Sequence, residues 1–250
     1  MLSNLDSRLQ LFFVLKIIDI ITIIEYTNQN CFLKLFNKFI LYTNMDYKII
    51  DDTLKFIEGF NSPLDDYIDI LKKYKKIKFN QEFNQDVSNI PDNIVHIDFG
   101  KHFNQNIDNL PFSVEYLHLR KNFNQPVDFL PPNLKVLILE GQFNQSINNL
   151  PEKLEVLIIG NKFSKSIDNL PDSIWLLAIG YWYDNEDHII RSGMFLPIEF
   201  KIPITKLPKN IKFFFVHIYH PRTRELMEKF PDVKIGGKVL FHLDWMDIKF

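Results

Sequence analysis

Phe83, Phe103, Phe123, Phe143 and Phe163 stand 20 residues apart without drift, and each opens a unit built to one plan. In order the units read FNQDVSNIPDNIVHIDFGKH, FNQNIDNLPFSVEYLHLRKN, FNQPVDFLPPNLKVLILEGQ, FNQSINNLPEKLEVLIIGNK and FSKSIDNLPDSIWLLAIGYW. A sixth, FKIPITKLPKNIKFFFVH, starts at Phe200, displaced by 17 residues, which sets an insertion over residues 183–199. Ile77 and Phe79 fill the last two apolar slots of a half unit ahead of the array. A fixed period of this size means a solenoid. One unit is too small to bury its own apolar face, and stacked neighbours supply the cover.

Apolar residues recur at the opening Phe and at positions 4, 7, 11, 14 and 16 after it; in the third unit these are Phe123, Val127, Leu130, Leu134, Leu137 and Leu139. The last three form the L-x-x-L-x-L pattern of a leucine-rich-repeat strand. The Leu-Pro or Ile-Pro pair before it marks a corner, because proline lacks an N–H and disfavours helix at the residue before it. Twenty residues leave little room for a helix on the return side. The spacing therefore predicts a short strand on one side and irregular or 3₁₀ turns on the other. Asn84, Asn104, Asn124 and Asn144 are placed to stack as a ladder of amides bonding the backbone, ending where Ser164 and Lys165 replace the Asn-Gln pair. The expected fold class is α+β: a leucine-rich-repeat-like solenoid of 20-residue repeats with a helical N-terminal cap and a C-terminal capping segment.

Composition narrows the function. A formal net charge of −2 argues against a dedicated binder of nucleic acid or anionic membrane. Cys31 is the single cysteine, which excludes an internal disulfide or a multi-cysteine metal site and points to a reducing compartment, the cytoplasm. The most apolar run, residues 11–24, has 14 residues interrupted by Lys16 and Asp19. A bilayer needs roughly 20, and the run lacks the basic start and small-residue cleavage site of an export signal. Its apolar residues fall at helical spacing and predict a core-facing helix.

The units, of shared form FNQxIxNLPxxLxxLxLG, resemble FNIP repeats, known from proteins of amoebae and giant viruses and related to leucine-rich repeats. The resemblance spans about residues 77–216. It implies a non-enzymatic protein–protein interaction scaffold without cofactors, in the cytoplasm (the host's, for a viral chain). Many relatives carry an N-terminal F-box, a helical module that docks onto a ubiquitin ligase. Here KIIDIITIIEYTNQNCFLKLFNKFI, with helices expected near residues 9–26 and 30–42, is similar in helix order but lacks the Leu-Pro near the start of such modules. Two readings stand for it: F-box-like docking of a ubiquitin-ligase adaptor, which would make the chain a substrate receptor, or a helical cap over the first repeat. The resulting plan is a helical cap or F-box-like region over 1–60, a capping strand and linker over 61–82, the repeat solenoid over 83–217 and a C-terminal cap over 218–250. Within that last cap a helix is expected at 223–230, a strand at 233–235 and a further strand at KVLFHL.

Alternation puts positions 13, 15 and 17 of each unit on the outward side of the strands. These begin polar, with His96, Asp98, Tyr116, His118 and Arg120, and then turn apolar, with Val136, Ile138, Val156 and Ile158. Those nine are the candidate partner-binding residues; Leu176, Ala178, Phe213 and Phe215 continue the strip. An open sheet surface gains nothing from so long an apolar strip, so a cover is expected. The reading assigns a partner protein to the middle strands, near Ile138 and Ile158, with the polar rim setting its register. The insertion, through Trp182, Tyr183, Met194, Phe195 and Leu196, is assigned to the last strands near Phe213.

Three other clusters invite chemistry. His96, Asp98 and His118 are the candidates for a metal, which would need three converging ligands. Asp108, Asp128 and Asp168 share position 5 of their units, so stacking could pair carboxylates as in a glycosidase, or each could bond its own turn. The lysine-rich KKYKKIK at 72–78 could take phosphate or serve as a nuclear-import address. It could equally be the solvated face of the first, capping strand, with Tyr74, Ile77 and Phe79 turned inward.

Overall fold

A computed structural model describes residues 46–183, 190–192, 204–215 and 223–236. Within these, one sheet runs through the array. Its strands are β1 (Tyr47–Ile50), β2 (Thr53–Phe56), β3 (Lys76–Lys78), β4 (His96–Asp98), β5 (Tyr116–Leu119), β6 (Val136–Leu139), β7 (Val156–Gly160), β8 (Leu176–Tyr183), β9 (Ile190–Ser192), β10 (Phe213–Phe215) and β11 (Lys234–Gly236). From β2 to β8 and on to β10 and β11 the strands are neighbours in chain order and parallel. The register repeats the sequence period: Ile77 faces Ile97, Ile97 faces Leu117 and Leu117 faces Leu137. This is a leucine-rich-repeat-like β-solenoid, with turns rather than helices on the return side of its 20-residue units.

Each apolar slot does what its position requires. The opening phenylalanines are fully buried and their rings form a near-parallel column, with centroids 6.2 Å apart from Phe83 to Phe103, Phe103 to Phe123 and Phe123 to Phe143. After each Leu-Pro or Ile-Pro corner the chain closes a tight turn, as where the Leu134 N–H donates to the Pro131 carbonyl at 3.1 Å. Gly100 is required by close approach: a Cβ there would lie 1.6 Å from the Asn80 carbonyl oxygen.

The asparagine ladder is present, and its direction is uniform. The side-chain oxygen of each Asn accepts the backbone N–H of the next unit's residue: the Asn104 N–H donates to Asn84 Oδ1 at 2.8 Å, Asn124 to Asn104 at 2.9 Å and Asn144 to Asn124 at 2.8 Å. The glutamines add a second set, with Gln105, Gln125 and Gln145 amides donating to the carbonyls of Asn84, Asn104 and Asn124. The Ser164 N–H donates to the last acceptor, Asn144 Oδ1, and the run ends there as its sequence implies.

The start of the array differs from expectation. The helices expected at 9–26 and 30–42, and with them the F-box-like reading, fall in residues 1–45, outside the described residues. Within the stretch 1–60 assigned to a helical cap, residues 47–56 instead form a β-hairpin. Its physical reason is period-two patterning: Leu54 and Phe56 point into the core and Leu54 sits opposite Ile77. The two-residue turn uses Asp51 and Asp52, both at positive φ, where Asn-Gly would have been the recognisable signal. The half unit is also a whole one. Phe60 stacks on Phe83 at 5.8 Å, and Asn61 accepts the Asn84 N–H at 2.8 Å, one rung earlier than the ladder was expected to begin. This first unit is 23 residues long. A 3₁₀ turn, Asp65–Tyr67, running into the short helix α1 (Ile68–Leu71) accommodates its extra length. β3 is thus an interior strand, not the capping one, with Ile77 and Phe79 buried and Tyr74 half-buried against the core.

At the other end, helix α2 (Thr223–Lys229) leads to β11, which pairs in parallel with β10. Both lie within a residue or so of the expected helix and strand; KVLFHL falls outside the described residues. The sixth unit keeps the array's register across the insertion, with Phe213 opposite Leu176. Part of that insertion is itself structured, since β8 runs on to Tyr183 and pairs antiparallel with β9. Among the described residues, no helix is long and apolar enough to cross a membrane.

Candidate functional site

The parallel register carries each outward side chain onto the one 20 residues later. It therefore builds rows across the strands: His96, Tyr116 and Val136 form one, and Lys78, Asp98, His118 and Ile138 form another. At the polar end these rows make a buried charge network. Arg120 clamps Asp98 through two hydrogen bonds, Nε to Oδ1 and a terminal nitrogen to Oδ2, both 3.0 Å. Lys78 reaches the same carboxylate at 3.3 Å. His118 lies between two carboxylates, with Nδ1 3.3 Å from Asp98 and Nε2 2.6 Å from Glu140. Asp98, His118 and Glu140 are all buried.

Such a network is tolerable only because each charge has a partner. Burial alone would push the Asp98 carboxyl up, but the neighbouring His118, Arg120 and Lys78 together outweigh it and hold the group well below the usual carboxylate range. Arg120 is likewise raised above its ordinary value, Asp98 overcoming the opposing effect of burial. His96 behaves in the opposite way. Burial pushes it down to about 4, against the pull of Asp98 and with reinforcement from Lys76, His118 and Lys78, so the ring is neutral at pH 7. It stacks on Tyr116, centroids 3.8 Å apart and planes 9° from parallel.

Five of the sequence candidates, His96, Asp98, Tyr116, His118 and Arg120, are therefore brought together, though Asp98 and His118 sit beneath the surface. Lys78 and Glu140 belong to the same cluster and were missed. The signal was available, since 20-residue offsets place Lys78 before Asp98, and Glu140 after Arg120. His96, Asp98 and His118 do not converge on a common point for a metal. Asp98 is filled by Arg120 and Lys78, and His96 faces a tyrosine ring. Among the described residues no group of three or more His, Cys, Asp or Glu is arranged to hold a metal ion.

The apolar end corrects the reading of an open binding strip. Val136, Ile138, Val156 and Ile158 are only 0–2% exposed, and with Leu176 and Ala178 they form a second buried cluster, separate from the main core. Alternation did place them on the outward side. That side is closed within the chain at these strands, so Val136, Ile138, Val156 and Ile158 are packing residues and not a free surface. Phe213 and Phe215, at the strands assigned to the insertion, are half-buried and pack against this cluster. The side chains of Trp182, Tyr183, Met194, Phe195 and Leu196 lie outside those described.

The aspartate row is engaged by side chains of its own turns and of the next unit. Asp108 receives an amide hydrogen bond from Asn106, Asp128 one from Asn149, and Asp168 bonds from Ser166 and Thr205. Hydrogen bonding from the Thr205 hydroxyl leads the effects that lower the Asp168 carboxyl, opposite to what a general acid needs.

Fold and site together define a repeat solenoid of the leucine-rich-repeat type, an architecture that generally serves as a protein-interaction scaffold and is typically not enzymatic. The FNIP repeat profile matches residues 103–142 and 123–162, so this part of the array consists of FNIP repeats. No curated protein matches the chain. Among solved structures it is similar to CroV588, described as a novel circular LRR protein structure, with 27% identity and a TM-score of 0.55 over 70% of this chain. The match covers 29% of that protein, so this chain spans under a third of its relative's length.

Proposed function

We propose that the chain is a non-enzymatic protein-interaction scaffold that engages its partner at the polar end of the outward side, through His96, Tyr116 and Arg120. The observation that carries this reading is their preorganisation. Tyr116 is held flat against His96, and Arg120 is fixed by two bonds to Asp98. Asp98 and His118 support these side chains from below. All three contact residues remain half-buried rather than sealed, unlike the apolar positions further along. Tyrosine and arginine are the residue types that most often carry interface energy, and side chains already ordered lose less entropy on binding.

A photo-reactive phenylalanine analogue at position 116 tests this in cells. It should cross-link one discrete protein, while the same group at exposed position 121, in the turn after β5, should not. Absence of any cross-link at position 116, or equal capture at both positions, overturns the assignment.

A further inference from the structure

A second surface lies at the heads of the strands. Lys135, Glu155, Trp175 and Lys212 are the residues immediately before β6, β7, β8 and β10, and backbone bonds from Glu155 to Lys135, Trp175 to Glu155 and Lys212 to Trp175 stack them one per rung. With Lys153 and Lys209 they line an open groove of about 750 Å³. That is a volume typical of ligand sites.

The charges in this groove are not equivalent. Lys135 is paired with Glu115 at 2.9 Å and Lys209 with Asp172 at 2.6 Å. Lys153 is bonded to the neutral Asn133 side chain at 2.7 Å. Lys153 and Lys212 have no carboxylate partner among the described residues, and both are exposed. The half-buried Trp175 ring is braced edge-on by Phe213 at 6.1 Å. The groove thus offers two ammonium groups without a carboxylate partner and a fixed aromatic platform.

We infer that this groove binds a short acidic segment of a partner protein, with carboxylates on Lys153 and Lys212 and an apolar side chain on Trp175. The span fits: from Lys135 to Lys212 is three rungs, about 14 Å at the usual strand spacing, or roughly four residues of extended chain. Nucleic acid fits less well. Along this row Glu115 and Glu155 alternate with Lys135, so a regular line of phosphates would meet like charge on every second rung. A peptide places its charges where it needs them and can set a polar group against Glu155. The inference rests on the scaffold reading only in taking a protein segment as ligand; the surface is separate from the His96–Tyr116 rim.

The test uses the full chain and fluorescence anisotropy with labelled peptides. GEEGFGEEG should bind at least tenfold more tightly than its neutral counterpart GQQGFGQQG, and the difference should shrink in 0.5 M salt as exposed charges are screened. The double variant Lys153→Glu with Lys212→Glu should lose at least tenfold in affinity. Lys101→Glu with Lys121→Glu, equal in charge change but in the turns after β4 and β5, should bind as the unaltered chain does. The milder Lys153→Gln with Lys212→Gln guards against misfolding and should also lose affinity at an unchanged melting temperature. Equal binding of the two peptides, or no loss in the groove variants, overturns the proposal. So does tighter binding of a twelve-nucleotide single-stranded DNA that displaces the acidic peptide. These outcomes leave the scaffold reading intact if position 116 still cross-links a protein; loss of that cross-link with peptide binding retained would overturn the rim alone.

Discussion

The two ends of the outward side solve one problem with different chemistry. From β3 to β5 the rows carry Lys78, Asp98, His118 and Arg120; from β6 to β8 they carry Val136, Ile138, Val156, Ile158, Leu176 and Ala178. The backbone register is the same, and both ends contain residues removed from solvent. At the apolar end burial is favourable by itself and needs no particular partner. At the polar end it is acceptable only through directional pairing. That pairing leaves half-exposed side chains locked in one geometry beside the buried charges. Under the proposed reading a partner would use the polar end as it stands, whereas the side chains at the apolar end are buried.

The sharpest test of that contrast is the pair Ile138→Glu with Ile158→Glu. Two carboxylates forced into the second cluster should cost more than about 5 kcal/mol and leave the chain unfolded at room temperature, as read by loss of its circular dichroism transition. A near-native melting curve would mean that this end is open and that the comparison is false. Next is the inner column, common to both ends: Phe123→Ala should cost about 3–5 kcal/mol in urea unfolding, and an unmoved midpoint would contradict the stacking register.

At the polar end, Asp98→Ala leaves Arg120, Lys78 and His118 facing one another and should cost about 3 kcal/mol. The joint change Asp98→Leu with Arg120→Met should cost less than that single change. A double variant worse than the single would show that the clamp stabilises in its own right. The smallest expected effect is on pH dependence. The folded His96 takes a proton near pH 4, while the unfolded chain does so near its ordinary value of about 6.5. Its contribution is therefore complete above that ordinary value and declines as pH falls toward 4. Urea midpoints at pH 7 and 4.5 should differ less in His96→Gln than in the unaltered chain; an equal difference would remove His96 as a cause.

Much of this was legible because a 20-residue period is a one-dimensional code. Once Phe103 and Phe123 must stack, the register of every side chain between them follows, and with it the Asn104 ladder, the turn at Pro111 and the facing of Asp98 and His118. The same arithmetic found the sixth unit across its insertion. The hairpin at Asp51–Asp52 and the unit opening at Phe60 were less visible, since each departs from the repeated pattern, one in turn chemistry and one in length.

What periodicity specifies is which side of the sheet a residue occupies, and for Ile138 and Ile158 it did so correctly. The period does not say whether that side meets solvent, and only the tertiary structure decided that these two are buried. The same holds for Glu140. Its sequence position put it outward, but its role as the second carboxylate on His118 follows from a 2.6 Å approach that three-dimensional packing alone sets. Local sequence determined the solenoid, because neighbouring units are both adjacent in the chain and adjacent in space. Which of those neighbours are buried, and how closely they approach, was decided only by the tertiary structure, because packing density and side-chain approach are not encoded in the period.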